Sequence, residues 1–205
     1  MFLNNRRDKL VLLHSILFGF LLCFLTAFSS LADAQNRNYY KNPKVILDEV
    51  SKQGARTIVS ELYNHPTEWN FVLQHIATGT KTWLKVAVAL HPGSDAGASE
   101  MLTLSVGEAL ERSPSNVFKV ALTEFQLEAI CSGPDVDDER YNSYSLAIKA
   151  INQRQKSISA IAEPKLKIIS TKCIQLLEEA KSGIAKFHKN VRMESGLTID
   201  IYTYA

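Results

Sequence analysis

Apolar residues along most of this chain recur at the three-to-four-residue spacing of an amphipathic helix. The segments with this spacing are short, and turn signals such as Gly79 and Ser113-Pro114 separate them. Each signal supplies a left-handed glycine, or a capping residue before proline, where helices end or begin. The pattern predicts an all-α fold of about seven or eight helices packed as antiparallel hairpins. A repeat-like stack is one arrangement that it allows.

Two parts of this pattern leave the element boundaries open. Gly54 interrupts the first helical segment, which indicates either one bent helix or two short ones. The last third predicts two longer helices, from about Glu139 to Ile161 and from about Pro164 to His188. The tail 197–204 alternates apolar and polar residues like a strand, but the sequence offers no partner strand. We therefore expect the tail to be a loose or docked extension.

The N-terminus has a different pattern from the rest of the chain. Basic residues near the start precede an apolar run from Leu10 to Phe28, and the small-residue pair Ala32-x-Ala34 follows. This order is typical of a secretion signal and predicts cleavage after Ala34. An uncleaved membrane anchor is the alternative, because the run approaches the roughly 20 residues that span a bilayer.

These patterns divide the chain into four parts: a signal peptide at 1–34, a loose segment at 35–42, a helical domain at 43–190 and a C-terminal tail at 191–205. No second apolar span follows the first, so we expect no integral membrane span after signal cleavage and a periplasmic or secreted location. The formal net charge is only +2, with Lys and Arg scattered among acids. That distribution argues against a nucleic-acid partner, which would require a concentrated basic face.

Two cysteines, Cys131 and Cys173, remain once Cys23 has left with the predicted signal. An even pair in an oxidising compartment predicts a disulfide. The alternative is a pair of buried free thiols, since cysteine packs as a small apolar side chain.

The most unusual segment runs from His91 to Glu100 and concentrates small and polar residues at the start of a helix. A ligand site is one interpretation, because a helix N-terminus favours an anion and glycines let a molecule approach the backbone. Side chains of the segment can also exchange protons. The candidate ligand-binding residues are His91, Asp95, Ser99, Glu100 and Trp83.

A structural role is the alternative interpretation of the same segment. Asp95 would cap the helix, Gly93 would make the turn, and small residues at 97–99 would let neighbouring helices approach closely. Trp83 lies among aliphatic residues at helical spacing, a position that is typical of a core aromatic rather than of a stacking platform.

This segment, with Trp83-Leu84 before it and Glu108-Ala109-Leu110 after it, resembles an uncharacterised group of small exported proteins of Gram-negative bacteria. These proteins carry a Pro-Gly-x-Asp-Ala-Gly-Ala-Ser-Glu segment and a downstream cysteine pair. The resemblance covers roughly 68–173 and implies a helical fold and a periplasmic setting. It brings no known activity and assigns no catalytic residue.

Neither metal binding nor a cofactor is predicted. The histidines after residue 34 form no His-x-x-x-His pair: His65, His75, His91 and His188. The acidic cluster lacks the glycine and the terminal glutamate of a calcium loop, and favours a solvated turn: Asp135, Asp137, Asp138 and Glu139.

The sequence also lacks a Gly-x-Ser-x-Gly nucleophile motif and the phosphate-binding fingerprints. We therefore expect an exported binding or structural protein of the bacterial envelope, with an unknown protein as partner. Two alternatives stay open. One is an immunity-type inhibitor of a periplasmic toxin, and the other is an enzyme that uses the turn from His91 to Glu100.

Overall fold

Nine α-helices make up most of the part that the computed structural model describes, residues 39–135 and 138–194, and no strand occurs within it. The helices are α1 (Pro43–Gln53), α2 (Ala55–Tyr63), α3 (Pro66–Ile76), α4 (Lys81–Leu90), α5 (Ala96–Ala109), α6 (Pro114–Val120), α7 (Leu127–Ile130), α8 (Tyr144–Ser159) and α9 (Lys167–Glu194). The predicted all-α fold is confirmed. The predicted signal peptide and the strand-like tail lie outside the described residues.

The described residues from Pro43 onward belong to one compact unit. The preceding unit ends at Asn42, and its described part consists of the 3-10 turn Tyr39–Lys41 and Asn42 itself. Within the ranges described, no helix is both long and apolar enough to cross a membrane.

Glycine sets two of the helix boundaries. Gly54 separates α1 from α2 at φ 86°, and Gly79 follows α3 at φ 72°. Both angles lie in the left-handed region, where residues other than glycine are strained because they carry a Cβ. The first helical segment is therefore two short helices rather than one bent helix.

The two long helices start later than the sequence predicts. α8 begins at Tyr144 instead of Glu139, because Ser143 caps it by accepting a bond from the Leu146 N–H at 3.3 Å. Just before this cap, Arg140 binds Asp138 and keeps the chain in a turn. α9 follows a 3-10 turn and ends at Glu194, six residues beyond the predicted end.

The core forms where the apolar faces of these helices meet. α4 packs against α1, α3 and α6. α8 and α9 run antiparallel: the Tyr144 ring at the start of α8 lies 4.9 Å from the His188 ring late in α9. Further along, the Gln155 amide donates to the Ile174 carbonyl in the first half of α9. The predicted antiparallel hairpin is thus present in the last third of the chain.

A disulfide joins Cys131, directly after α7, to Cys173 in α9. Both residues are fully buried, and their Cα atoms are 5.5 Å apart. The predicted bridge is confirmed, and the alternative of two free thiols is wrong. The bond attaches the last helix covalently to the middle of the domain.

Candidate functional site

Both ring nitrogens of His91 have side-chain partners. His91 Nδ1 lies 2.9 Å from Glu124 Oε1, and His91 Nε2 lies 3.0 Å from Ser99 Oγ. We name these three residues the Ser–His–Glu cluster. Two of them, His91 and Ser99, are candidates predicted from the sequence, and the third comes from a segment that the sequence did not single out.

The end of α4 positions His91. α4 stops at Leu90, and the 3-10 turn His91–Gly93 follows. Gly93 lies directly against the start of α2, since a Cβ there would come within 2.2 Å of the Arg56 nitrogen. Ser94 closes the turn, because its hydroxyl donates to the His91 carbonyl at 2.7 Å. The His91 backbone is thereby fixed from both sides.

The first turn of α5 positions Ser99. Asp95 is the N-cap, and its Oδ1 accepts a bond from the Ala98 N–H at 3.1 Å. The Ser99 N–H donates to the Asp95 carbonyl at 2.8 Å, so Ser99 already belongs to the regular helix. The Ser99 hydroxyl, eight residues after His91, reaches back to the imidazole.

A 3-10 turn after α6 positions Glu124. The turn Ala121–Thr123 packs against α4, and both Glu124 and Phe125 donate their N–H groups to the Ala121 carbonyl. Phe125 is buried with its ring 4.4 Å from the His91 ring. The buried phenyl group therefore places the neighbouring carboxylate beside His91.

The chemistry of the partners fixes the proton positions in the cluster. An ionised carboxylate can only accept, so His91 Nδ1 must donate to Glu124. In the neutral ring Nε2 is then the acceptor, and the Ser99 hydroxyl donates to it. The His91 side chain is 23% exposed and that of Glu124 31%. The cluster is partly shielded from solvent yet still accessible.

No family model, curated protein or solved structure matches this chain. The resemblance to exported proteins of Gram-negative bacteria stays a prediction.

The other predicted candidates have different roles. Asp95 caps α5, as the structural interpretation expects. Glu100 is exposed, and the carboxylate that bonds to His91 comes from Glu124 instead. Trp83 is buried, with its ring against those of Phe71 and His75, so little of its face is left for a ligand.

Sequence reasoning missed Glu124 because it lies 33 residues after His91, and no local pattern connects the two. The sequence also predicted that small residues at 97–99 let neighbouring helices approach closely, whereas the close approach is at Gly93. A Cβ at Gly97 would meet only the Tyr63 hydroxyl, at 3.2 Å, whereas a Cβ at Gly93 would overlap backbone atoms of α2.

One member of the acidic cluster, Asp138, is paired with an arginine. Arg140 Nη2 lies 2.6 Å from Asp138 Oδ2 and 2.7 Å from Glu108 Oε1 on α5. Side-chain hydrogen bonds from Arg140 lower the pKa of Asp138 below its usual value. Among the described residues no group of three His, Cys, Asp or Glu side chains could hold a metal ion.

A cavity beside Arg140 is lined by a buried cation, Arg154, which is 1% exposed. Its Nε lies 3.4 Å from Glu111 Oε1, and within the described ranges its Nη1 has no hydrogen-bond partner. Three carboxylates and Arg140 also line the cavity: Glu108, Asp135 and Asp138. This excess of negative charge disfavours an anionic ligand.

A second surface runs along α8 from Tyr144 at its start to Lys156 in its last turn, and it includes the part of α9 next to Tyr144. We name it the hairpin-end surface, formed by Tyr144, Ile148, Lys149, Lys156 and Phe187. Tyr144 is 40% exposed and Phe187 67%. The other three residues line a shallow groove along α8 together with Tyr144. The surface therefore combines exposed aromatic rings with positive charge.

Proposed function

We propose that this protein is exported into the bacterial envelope, where it binds an acidic protein partner through the hairpin-end surface. The proposal has two parts, the compartment and the binding surface. Different observations support each part, and different experiments test them.

The disulfide supports export. A buried bridge between Cys131 and Cys173 forms and persists in an oxidising compartment, whereas thiol reductants keep most cytosolic cysteines reduced. The N-terminal sequence, with basic residues before a long apolar run and a small-residue site, agrees with this compartment.

The exposure of Phe187 and Tyr144 is the observation that carries the binding part. Large aromatic side chains are enriched at the centres of protein interfaces, where they bury much area at low entropic cost. Both residues lie at the same end of the α8–α9 hairpin, because Tyr144 contacts His188, the residue next to Phe187. Two aromatic rings that water reaches in the free protein are suitable anchors for a partner.

Charge indicates the nature of that partner. The groove beside Tyr144 is lined by Lys149 and Lys156, and its other lining residues carry no acid: Ser145, Ile148, Asn152 and Gln153. A complementary partner would present carboxylates around an apolar pocket. The opposite charges on the two surfaces would raise the association rate and disfavour basic proteins.

Processing of the N-terminus tests export. In cells that make the full chain, we expect the protein in the envelope fraction, with its first residue at Gln35. Intact mass measurement and N-terminal peptide mapping after fractionation will locate the first residue. Full-length protein dissolved in the cytoplasm, with free thiols at Cys131 and Cys173, would contradict the proposal.

Photo-crosslinking tests the binding surface. A photoreactive amino acid in place of Phe187 should capture one acidic envelope protein. The double variant Lys149→Glu/Lys156→Glu should reduce that capture by about 10-fold or more, because it brings like charges together across the interface. Added salt should also reduce capture by the protein that keeps Lys149 and Lys156, because salt screens the attraction between these lysines and an acidic partner.

A matched charge reversal on another surface is the control. Lys81→Glu/Lys85→Glu changes the net charge equally on exposed positions of α4. Capture through position 187 should not change in this variant. Equal losses in both double variants, or capture unaffected by the α8 reversal, would refute the hairpin-end surface as the contact.

A further inference from the structure

We propose that Ser99 is a nucleophile for acyl transfer, with His91 as its general base and Glu124 as the residue that positions the imidazole. The substrate class is small, uncharged carboxylic esters. This activity does not rest on the partner binding proposed above, because it uses the other surface of interest, the Ser–His–Glu cluster.

The order of atoms in the cluster supports this role. A serine becomes nucleophilic when an adjacent base accepts its proton and a third group orients the base. The imidazole of His91 connects the other two residues through its two ring nitrogens. Nε2 lies 3.0 Å from Ser99 Oγ, and Nδ1 lies 2.9 Å from Glu124 Oε1. Both distances are within the range that proton transfer requires.

The surroundings keep this geometry and leave it open to a substrate. The Phe125 ring packs on the imidazole and limits its rotation. Partial burial strengthens the two polar contacts relative to those in water. The first two residues of α5, Ala96 and Gly97, are exposed and small, so a short acyl group can approach the first turn of this helix.

The start of α5 also favours the charge that develops during the reaction. Asp95 accepts from the Ala98 N–H, whereas the N–H groups of Ala96 and Gly97 belong to the first turn, where a helix offers no internal acceptor. Such donors stabilise an oxyanion that forms within hydrogen-bond reach of them.

The reaction balances without a cofactor. Ser99 Oγ attacks the ester carbonyl and forms the new C–O bond while its proton passes to His91 Nε2. The bond to the leaving alkoxide breaks, and the alkoxide takes that proton. Water then attacks the acyl group on Ser99, gives its proton through His91 to Ser99 Oγ, and releases the carboxylic acid. The sum is ester plus water to acid plus alcohol.

A fluorophosphonate probe and p-nitrophenyl acetate test the proposal on the oxidised protein. We expect one label per chain on Ser99 by peptide mapping, and none in Ser99→Ala. In His91→Gln the labelling rate should fall by about 100-fold or more, since the side chain can no longer accept the proton. In Glu124→Gln kcat for the acetate should fall by at least about 10-fold with KM unchanged, as expected for a residue that orients the base.

An exposed serine on α9 provides the control. Ser182→Ala removes a hydroxyl remote from the cluster and should leave labelling and hydrolysis unchanged. Circular dichroism and melting curves will establish that each variant is folded. Labelling of folded protein that is no faster than that of free serine, or that persists in Ser99→Ala, would overturn the proposal. An unaltered kcat in the Glu124→Gln variant would show that Glu124 does not position the imidazole.

Discussion

Gly93→Ala should lower the free energy of unfolding by about 1–3 kcal/mol or more, the range for overpacking a well-filled site. The added Cβ would lie 2.2 Å from the Arg56 nitrogen and 2.3 Å from the Ala55 carbonyl carbon. Both are backbone atoms of the first turn of α2, so no side-chain rotation can relieve the overlap. Either α2 or the turn after α4 must move. Urea unfolding followed by circular dichroism measures the loss.

Gly97→Ala is the matched control for this substitution. Its Cβ would meet only the hydroxyl at the end of the Tyr63 side chain, 3.2 Å away, and alanine is the better helix former in the first turn of α5. We expect little change in stability, or a small gain. A Gly93→Ala variant as stable as Gly97→Ala would mean that the turn does not hold α2 closely. Since Gly93 also fixes the His91 backbone, Gly93→Ala should weaken fluorophosphonate labelling as well.

Replacing both bridged cysteines, Cys131→Ser/Cys173→Ser, should cost about 4 kcal/mol for a loop of this length in the chain-entropy account. The bridge spans 42 residues, so the unfolded chain gains considerable freedom when it is lost. For a domain of this size the melting temperature should fall by about 8–16 °C. Differential scanning calorimetry of the oxidised protein and the double variant measures the difference.

Reductant supplies the internal control for the bridge. The native protein treated with a strong reductant should melt near the double variant, and the double variant itself should not respond. If reductant lowered both melting temperatures equally, or if the double variant melted with the oxidised protein, the bridge would contribute no stability.

Local signals in the sequence were sufficient for most of the helical architecture. Gly79, Asp95 and Ser113 mark helix boundaries because the groups that end or cap a helix lie within four residues of its terminus. The start of α8 was misplaced although its N-cap, Ser143, is an equally local signal. Arg140, in the turn before this cap, also bonds to Glu108 on α5, 32 residues earlier, and no local pattern reports that pairing.

The same distinction separates the predicted and the missed parts of the candidate site. His91 and Ser99 are eight residues apart in one unusual segment, so the sequence could group them. Glu124 enters through tertiary packing of the turn after α6 on α4. In the sequence, its neighbour Phe125 is typical of a core aromatic residue. Nothing in the sequence indicates that Glu124 faces a histidine.

The bridge also constrains the order in which an exported chain can mature. In the proposed export, Cys131 would cross the membrane before Cys173, which follows 42 residues later. During that interval its thiol is open to attack on an oxidase disulfide, which gives a mixed disulfide that Cys173 later resolves. In the proposed export, the last helix could therefore be covalently attached to the middle of the domain only after Cys173 has crossed the membrane.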